Sequence, residues 1–146
     1  MLKTIPHILT PDILRTMSAM GHGDELVLAD ANFPPETCGK NSLVLSAGRV
    51  GVPELFEAML KYFPLDTFVK ESVILMSVVP GDNFVPVIWE KYNAMVKASG
   101  ASLDVIGYNE RFEFYERAAK AFAVITTGEL SQYGNIILKK GLIVTP

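Results

Sequence analysis

Residues 73–79 read VILMSVV, a nearly continuous apolar run that is rich in β-branched side chains. Strands that are buried on both faces have this composition, because helices cover both sides of a parallel sheet. The run is too short to span a bilayer, which requires about 20 apolar residues in a helix. We therefore predict a buried strand at 73–79.

Further strand-like runs alternate with amphipathic segments along the whole chain. The predicted strands are ELVLAD (25–30), SLVLS (42–46), LDVIGY (103–108), FAVITT (122–127), NIILKK (135–140) and LIVT (142–145). The predicted helices are 11–20, 52–63, 84–99 and 110–121, and 31–41 is predicted to be a loop. This alternation is typical of the α/β class. We predict one domain over residues 1–146: a three-layer α/β/α fold whose largely parallel sheet is flanked by helices.

Composition restricts the classes of partner. The formal net charge of −3 speaks against nucleic acid and against anionic membranes, since both require a basic surface. The apolar content of 49% and the mean hydropathy of +0.28 predict strands buried on both faces or a surface covered by other subunits. The N-terminal segment lacks the apolar core of a signal peptide, so we expect a cytoplasmic protein.

The common cofactor-binding motifs are absent from the sequence. Neither a Gly-x-Gly-x-x-Gly motif nor a P-loop motif occurs, and there is no Gly-x-Ser-x-Gly nucleophile elbow. The two histidines, His7 and His22, have no cysteine or acidic partner at the spacing of a structural zinc site. We therefore predict chemistry that needs neither a metal nor an organic cofactor.

His22 is the first candidate for chemistry, since it lies between Gly21 and Gly23. Flanking glycines leave an imidazole unshielded and let the backbone approach a ligand closely. An imidazole ordinarily titrates near pH 6.5, which suits proton transfer in either direction. The alternative is a surface histidine whose positive charge favours the C-terminus of the preceding helix.

Ligands of α/β proteins gather beyond the carboxyl ends of the strands, which singles out two charged residues. Asp30 ends the predicted strand 25–30, although an aspartate there can also simply cap a turn. If Asn109 caps the helix 110–121, Arg111 lies in its first turn, where the helix dipole disfavours a cation. Arg111 then either binds a ligand or forms a salt bridge with Glu110 or Glu113.

The segment Tyr133-Gly134-Asn135 follows the predicted strand 122–127. It reads as a turn, but a phenol and an amide are also groups that hydrogen-bond to sugar hydroxyls. Three aromatic residues beside Arg111 are candidates for the mouth of a pocket: Phe112, Phe114 and Tyr115.

Two stretches together resemble the fucose mutarotase and ribose pyranase family of sugar-anomer isomerases. They are MGHGDELVLADANFP near the start and RFEFYERAAKAFAVITTGELSQYGNIILKKG near the end. The aromatic segment at 111–117 is more similar to the fucose branch than to the ribose branch. One residue departs from the pattern: the fucose branch often has histidine where this chain has Asn32, which leaves no second proton-handling histidine there.

The resemblance implies a role for each candidate residue. His22 matches the proton donor of the family, while Asp30, Arg111 and the segment Tyr133-Gly134-Asn135 match positions that hold the sugar. It also implies a ring of subunits, commonly a decamer, in which the segment equivalent to 133–135 reaches a neighbour's site.

The hypothesis is that this protein interconverts α and β anomers of a monosaccharide, with L-fucose favoured over D-ribose. His22 would protonate the ring oxygen and recover the proton on closure, while Asp30 orients either the imidazole or the sugar. The competing hypothesis is a non-catalytic module that binds a monosaccharide on the same fold.

Overall fold

The computed structural model describes residues 1–145, and all six of its strands belong to one sheet. The strands are β1 (Glu25–Ala29), β2 (Leu43–Ser46), β3 (Val73–Met76), β4 (Ile106–Asn109), β5 (Ala123–Thr126) and β6 (Ile136–Lys139). Their order across the sheet is β2-β5-β1-β6-β3-β4. The predicted α/β class with a largely parallel sheet is confirmed.

One strand, β6, runs against the other five. It pairs antiparallel with β1 on one side and with β3 on the other, whereas β1–β5, β2–β5 and β3–β4 pairs are parallel. A parallel connection needs a crossover of a dozen or more residues, usually a helix. The connection between β5 and β6 contains no helix, so the chain returns in the opposite direction.

Helices cover both faces of the sheet. They are α1 (Pro11–Ala19), α2 (Pro35–Cys38), α3 (Val52–Leu60), α4 (Ile88–Ala98) and α5 (Arg111–Ala118), with a 3-10 turn at Leu103–Val105. On one face, α1, α3 and α4 pack on Leu26 and Leu28 of β1. On the other, α5 and the region of α2 pack on Val27 and Ala29 of the same strand. Because successive strand residues point to opposite faces, this division gives the predicted three layers.

Several predicted boundaries are wrong. Helix α4 begins at Ile88 rather than at 84, and the 3-10 turn occupies the first half of the predicted strand 103–108. Asn109 is the last residue of β4, so the cap of α5 is Glu110, whose side chain accepts the N–H of Glu113.

The predicted strand 142–145 does not form, since its apolar side chains project into solvent. The predicted loop 31–41 contains the one-turn helix α2.

Within residues 1–145, every helix is too short or too polar to cross a membrane.

Candidate active site

Four of the predicted substrate-binding residues line one cleft at the carboxyl end of the parallel strands. They are Asp30, Arg111, Tyr133 and Asn135, and the cleft has a volume of about 220 Å³. Its other lining residues are Asn32, Phe33, Met76, Val79, Tyr115 and Gln132. Asp30 directly follows β1 and Asn135 directly precedes the antiparallel β6, so the sheet brings residues 105 positions apart to the same edge.

The centre of the cleft is a carboxylate–amide pair. The Asn135 amide donates to Asp30 Oδ2 over 2.9 Å, and its Oδ1 accepts the Asp30 N–H over 2.8 Å. The Asn32 N–H donates to the other carboxylate oxygen over 2.9 Å. Burial raises the pKa of Asp30 above its usual value, and these hydrogen bonds only partly offset that effect. A carboxyl group with a raised pKa is suited to exchanging a proton with a bound hydroxyl.

Arg111 supplies the positive charge of the cleft. Among residues 1–145, no carboxylate lies within 4 Å of its guanidinium, so the alternative of a salt bridge to Glu110 or Glu113 is not what the structure has. The guanidinium instead lies 5.5 Å from the centre of the Tyr115 ring, at cation–π distance. Its hydrogen-bonding capacity remains available to a ligand.

Of the aromatic candidates for the pocket mouth, Tyr115 lines the cleft and Phe112 contacts Arg111 at the surface. The expectation for Phe114 is wrong, because its ring is completely buried under α5. Phe114 lies two residues after Phe112 on α5, so its side chain points inward from the opposite side of the helix.

Tyr133 has a strained backbone with φ of 58°, a value that bulky residues rarely adopt. Trp89 Nε1 holds this conformation by donating to the Tyr133 carbonyl over 3.0 Å, and Tyr92 donates its hydroxyl to the Gly134 carbonyl over 2.6 Å. Burial raises the pKa of Tyr92, which keeps that phenol protonated as a donor. The Tyr133 hydroxyl donates to Asp82 over 2.8 Å. Strain of this kind is typical of functional sites.

Replacing Asn135 by alanine is expected to lower the free energy of unfolding by about 1–3 kcal/mol, because it leaves a buried carboxylate and a buried N–H without their partner. It should also raise the pKa of Asp30 further. Thermal unfolding measures the first effect, and the matched control is Gln132→Ala, an exposed cleft residue without a side-chain hydrogen bond among residues 1–145. Equal stability of the two variants would contradict the prediction.

His22 lies at the opposite end of the strands from the cleft. It precedes β1, whereas Asp30 follows it, and a five-residue strand spans roughly 16 Å. One sugar ring cannot contact both side chains of the same chain. The hypothesis that Asp30 orients the imidazole therefore fails within one subunit, whereas the cleft assembles without any contribution from a neighbour.

The partner of His22 is Asp66, a residue that sequence reasoning missed. His22 Nε2 lies 3.1 Å from Asp66 Oδ1, and the imidazole ring lies 5.4 Å from the Phe68 ring. The exposed fraction of the side chain is 38% for His22 and 2% for Asp66. In the structure, Asp66 accepts the N–H of Phe68, two residues later, as aspartates do in a common kind of turn. An aspartate in a loop is therefore all that the sequence shows at this position.

His22 borders a second depression, of about 510 Å³. Lys140 provides a positive charge at the C-terminus of α1, which is the alternative role that we considered for His22. The Lys140 ammonium donates to the carbonyls of Met17 and Met20, both over 2.6 Å, and so satisfies two terminal carbonyls of the helix. Within residues 1–145, the His22 ring bonds to Asp66 and to no carbonyl of α1. Among residues 1–145, no three histidine, cysteine or acidic side chains lie together as metal ligands.

The fold and the cleft together define the class of protein. A carboxylate, a guanidinium, a phenol and an amide surround a small cavity at the carboxyl end of an α/β sheet, which is where such folds bind small molecules. Groups of this kind pair with the donors and acceptors of a polyhydroxylated ligand. The molecule is thus an α/β protein with a small cleft at the carboxyl end of its parallel strands, and the groups that line it suit a polyhydroxylated ligand.

The chain belongs to the RbsD / FucU transport protein family, whose model matches residues 3–143. The resemblance inferred from the sequence is therefore confirmed. The chain is 50% identical to the fucose mutarotase of Danio rerio, over 97% of this chain and 94% of that protein. It is 44% identical to the L-fucose mutarotase of Actinobacillus pleuropneumoniae serotype 5b, over 100% and 99%.

A solved structure agrees closely with this fold. The fucose mutarotase from Streptococcus pneumoniae, crystallised in complex with L-fucose, superposes with a TM-score of 0.93 at 47% identity. The match covers 98% of this chain and 100% of that one.

Proposed function

We propose that this protein is a mutarotase, an isomerase that interconverts the α and β anomers of L-fucose. The observation that carries the proposal is the cleft, in which a buried carboxylate with a raised pKa faces an arginine that has no acidic partner among residues 1–145. Relatives that match nearly the whole chain are named fucose mutarotases, and one was crystallised with L-fucose. A cytoplasmic location fits its single cysteine, Cys38, which is a free thiol.

The complete site, in this proposal, lies between two subunits. The cleft of one subunit supplies Asp30, Arg111, Tyr133 and Asn135, and a neighbour supplies His22. Segment 133–135 of one subunit then reaches the His22 of a neighbour, as the resemblance implies, and Asp30 accompanies it because Asn135 bonds to Asp30 of its own chain. A closed ring of subunits repeats the same contact around the assembly, and we expect a decamer.

Exposed apolar residues beside both half-sites support this arrangement. Val79 lines the cleft, and Phe84 packs on the Tyr133 ring at 5.8 Å. Leu142 and Ile143 line the depression beside His22. All four are exposed in the single chain, and apolar patches of this kind mark protein–protein contacts.

The proposed reaction needs only proton transfers. The protonated imidazole of His22 gives its proton to the ring oxygen while Asp30 takes the proton of the anomeric hydroxyl. The bond between C1 and the ring oxygen breaks, and a C1 carbonyl forms. After rotation of the aldehyde, the transfers reverse and the ring closes on the other face, so both groups recover their original states. Arg111, Tyr133 and Asn135 hold the remaining hydroxyls.

Saturation-transfer NMR on L-fucose, with D-ribose for comparison, tests the activity directly. We expect catalytic amounts of protein to accelerate exchange between the α and β signals of L-fucose, and to act less on D-ribose. Folded protein that accelerates neither exchange would contradict the proposal and would favour a module that only binds sugar.

Two inactive variants are expected to restore activity when they assemble together. Asp30→Asn and His22→Ala each remove one half of the shared site. In a random one-to-one mixture, about a quarter of the interfaces combine an intact Asp30 with an intact His22. Anomer exchange, measured after co-expression, should recover to that level, while each variant alone stays inactive. Mixed assemblies that are confirmed by native mass spectrometry and remain inactive would overturn the shared site.

A further inference from the structure

We propose that Asp66 is the positioning residue for His22, and that it makes Nδ1 the imidazole nitrogen that exchanges the proton with the sugar. This inference rests on the proposed function, since it assigns the proton to one atom of the proposed catalytic histidine.

The first support is the geometry of the pair. Asp66 Oδ1 lies 3.1 Å from His22 Nε2 and also accepts the Phe68 N–H over 2.9 Å. In residues 1–145, Nε2 is the only ring nitrogen of His22 that has a hydrogen-bond partner. The Phe68 ring covers the imidazole from the side at 5.4 Å. The imidazole is therefore fixed at one nitrogen, and Nδ1 is left for a ligand.

The second support is the charge of Asp66. Burial alone would raise its pKa, but the hydrogen bonds from Phe68 and His22, with the positive charges of His22 and Lys139, hold the pKa of this carboxyl below its usual value. Asp66 is therefore ionised near neutral pH and can only accept hydrogen bonds. Nε2 must carry the hydrogen in the neutral imidazole, which leaves the lone pair on Nδ1.

The third support is the frame that holds both residues. The end of β6 lies between the His22 turn and the Asp66 segment: the Gly23 N–H donates to the Lys140 carbonyl over 2.8 Å, and the Asp66 N–H donates to the Lys139 carbonyl over 3.0 Å. Gly141 follows, and a side chain there would lie 2.5 Å from the Leu65 carbonyl oxygen. Such close packing leaves the carboxylate little freedom to move away from the imidazole.

Asp66→Asn is the main test, because it preserves the shape and the oxygen that accepts the Phe68 N–H while removing the charge. We expect kcat for L-fucose anomer exchange to fall about 10- to 100-fold with KM nearly unchanged, since charge-assisted hydrogen bonds are substantially stronger than neutral ones. A purely structural role would not change kcat in folded protein. The matched control is Asp104→Asn, which removes a carboxylate from the exposed 3-10 turn and should leave kcat at the wild-type value.

A second measurement needs no variant at all. Long-range ¹H–¹⁵N correlation spectra of the wild-type protein at high pH report which nitrogen of His22 carries the hydrogen, with assignment by loss of the signals in His22→Ala. We expect the Nε2–H tautomer to dominate in the wild type and the tautomer ratio to shift in Asp66→Asn.

The outcomes separate this inference from the proposed function. A wild-type protein that does not accelerate anomer exchange overturns the function, whereas the tautomer remains measurable. If His22→Ala loses activity but folded Asp66→Asn keeps wild-type kcat, the function stands and the role of Asp66 is overturned. A dominant Nδ1–H tautomer in the wild type overturns the assignment of Nδ1 in the same way.

Discussion

Replacement of His22 by alanine is expected to lower kcat for anomer exchange about 10²- to 10⁴-fold, which is the usual contribution of a positioned acid–base group. The ring oxygen of the sugar must gain a proton before its bond to C1 breaks, and no histidine is among the residues of 1–145 that line the cleft. Saturation-transfer NMR on L-fucose measures the loss. Sugar binding by the variant should persist, because the groups that hold the hydroxyls lie in the cleft.

The matched control is His7→Ala, which removes the only other histidine of the chain from an exposed turn. It should leave both activity and stability unchanged. If His22→Ala retained wild-type exchange rates in folded protein, His22 would not be the acid, and the proton would have to come from another group.

The largest expected loss of stability follows Phe114→Ala, at about 3–5 kcal/mol, because the substitution leaves a cavity in a fully buried position. The Phe114 ring joins α5 to the sheet and packs edge-on against Phe33, which itself lines the cleft. The variant should unfold about 10 °C lower in a thermal scan. Helix α5 also carries Arg111, so sugar binding should weaken at temperatures where the variant is still folded.

Phe112→Ala is the matched control for Phe114→Ala, because it makes the same chemical change on the same helix. Its ring is 68% exposed, so its removal should alter the free energy of unfolding by no more than about 0.5 kcal/mol. If the two variants had similar melting temperatures, the packing of α5 on this face of the sheet would not be what stabilises the cleft.

Patterns local to one element predicted much of the fold. Continuous apolar runs identified β1 and β3 because both faces of those strands are covered. The predicted helix 11–20 begins where α1 begins, and there the Thr10 hydroxyl accepts the Ile13 N–H. The direction of β6 was missed, since it depends on which strands it enters between. The position of β6 between β1 and β3 depends on the pairing of the whole sheet, so no pattern within one segment of sequence predicts it.

The residues of the cleft could be predicted from the sequence, whereas the partner of His22 could not. Asp30, Arg111, Tyr133 and Asn135 could be selected because parallel strands bring their carboxyl ends to one edge, and they do line one cleft. Asp66 could not be selected, because it contacts His22 from 44 residues away, through a loop that hydrogen-bonds to the end of β6. The separation of His22 from Asp30 already follows from the predicted strand 25–30, since His22 precedes that strand and Asp30 ends it.

Strand β6 has a consequence for how this chain can vary in length. Asn135 stands immediately before it, and Lys139 and Lys140 hold the segments of Asp66 and His22 at its other end. Four residues thus set the separation of the two half-sites in every subunit. Loops tolerate insertions, but one residue added to or removed from β6 would turn its side chains to the wrong faces and change that separation as well. Exchanges among its apolar residues should be tolerated far better than any change in their number.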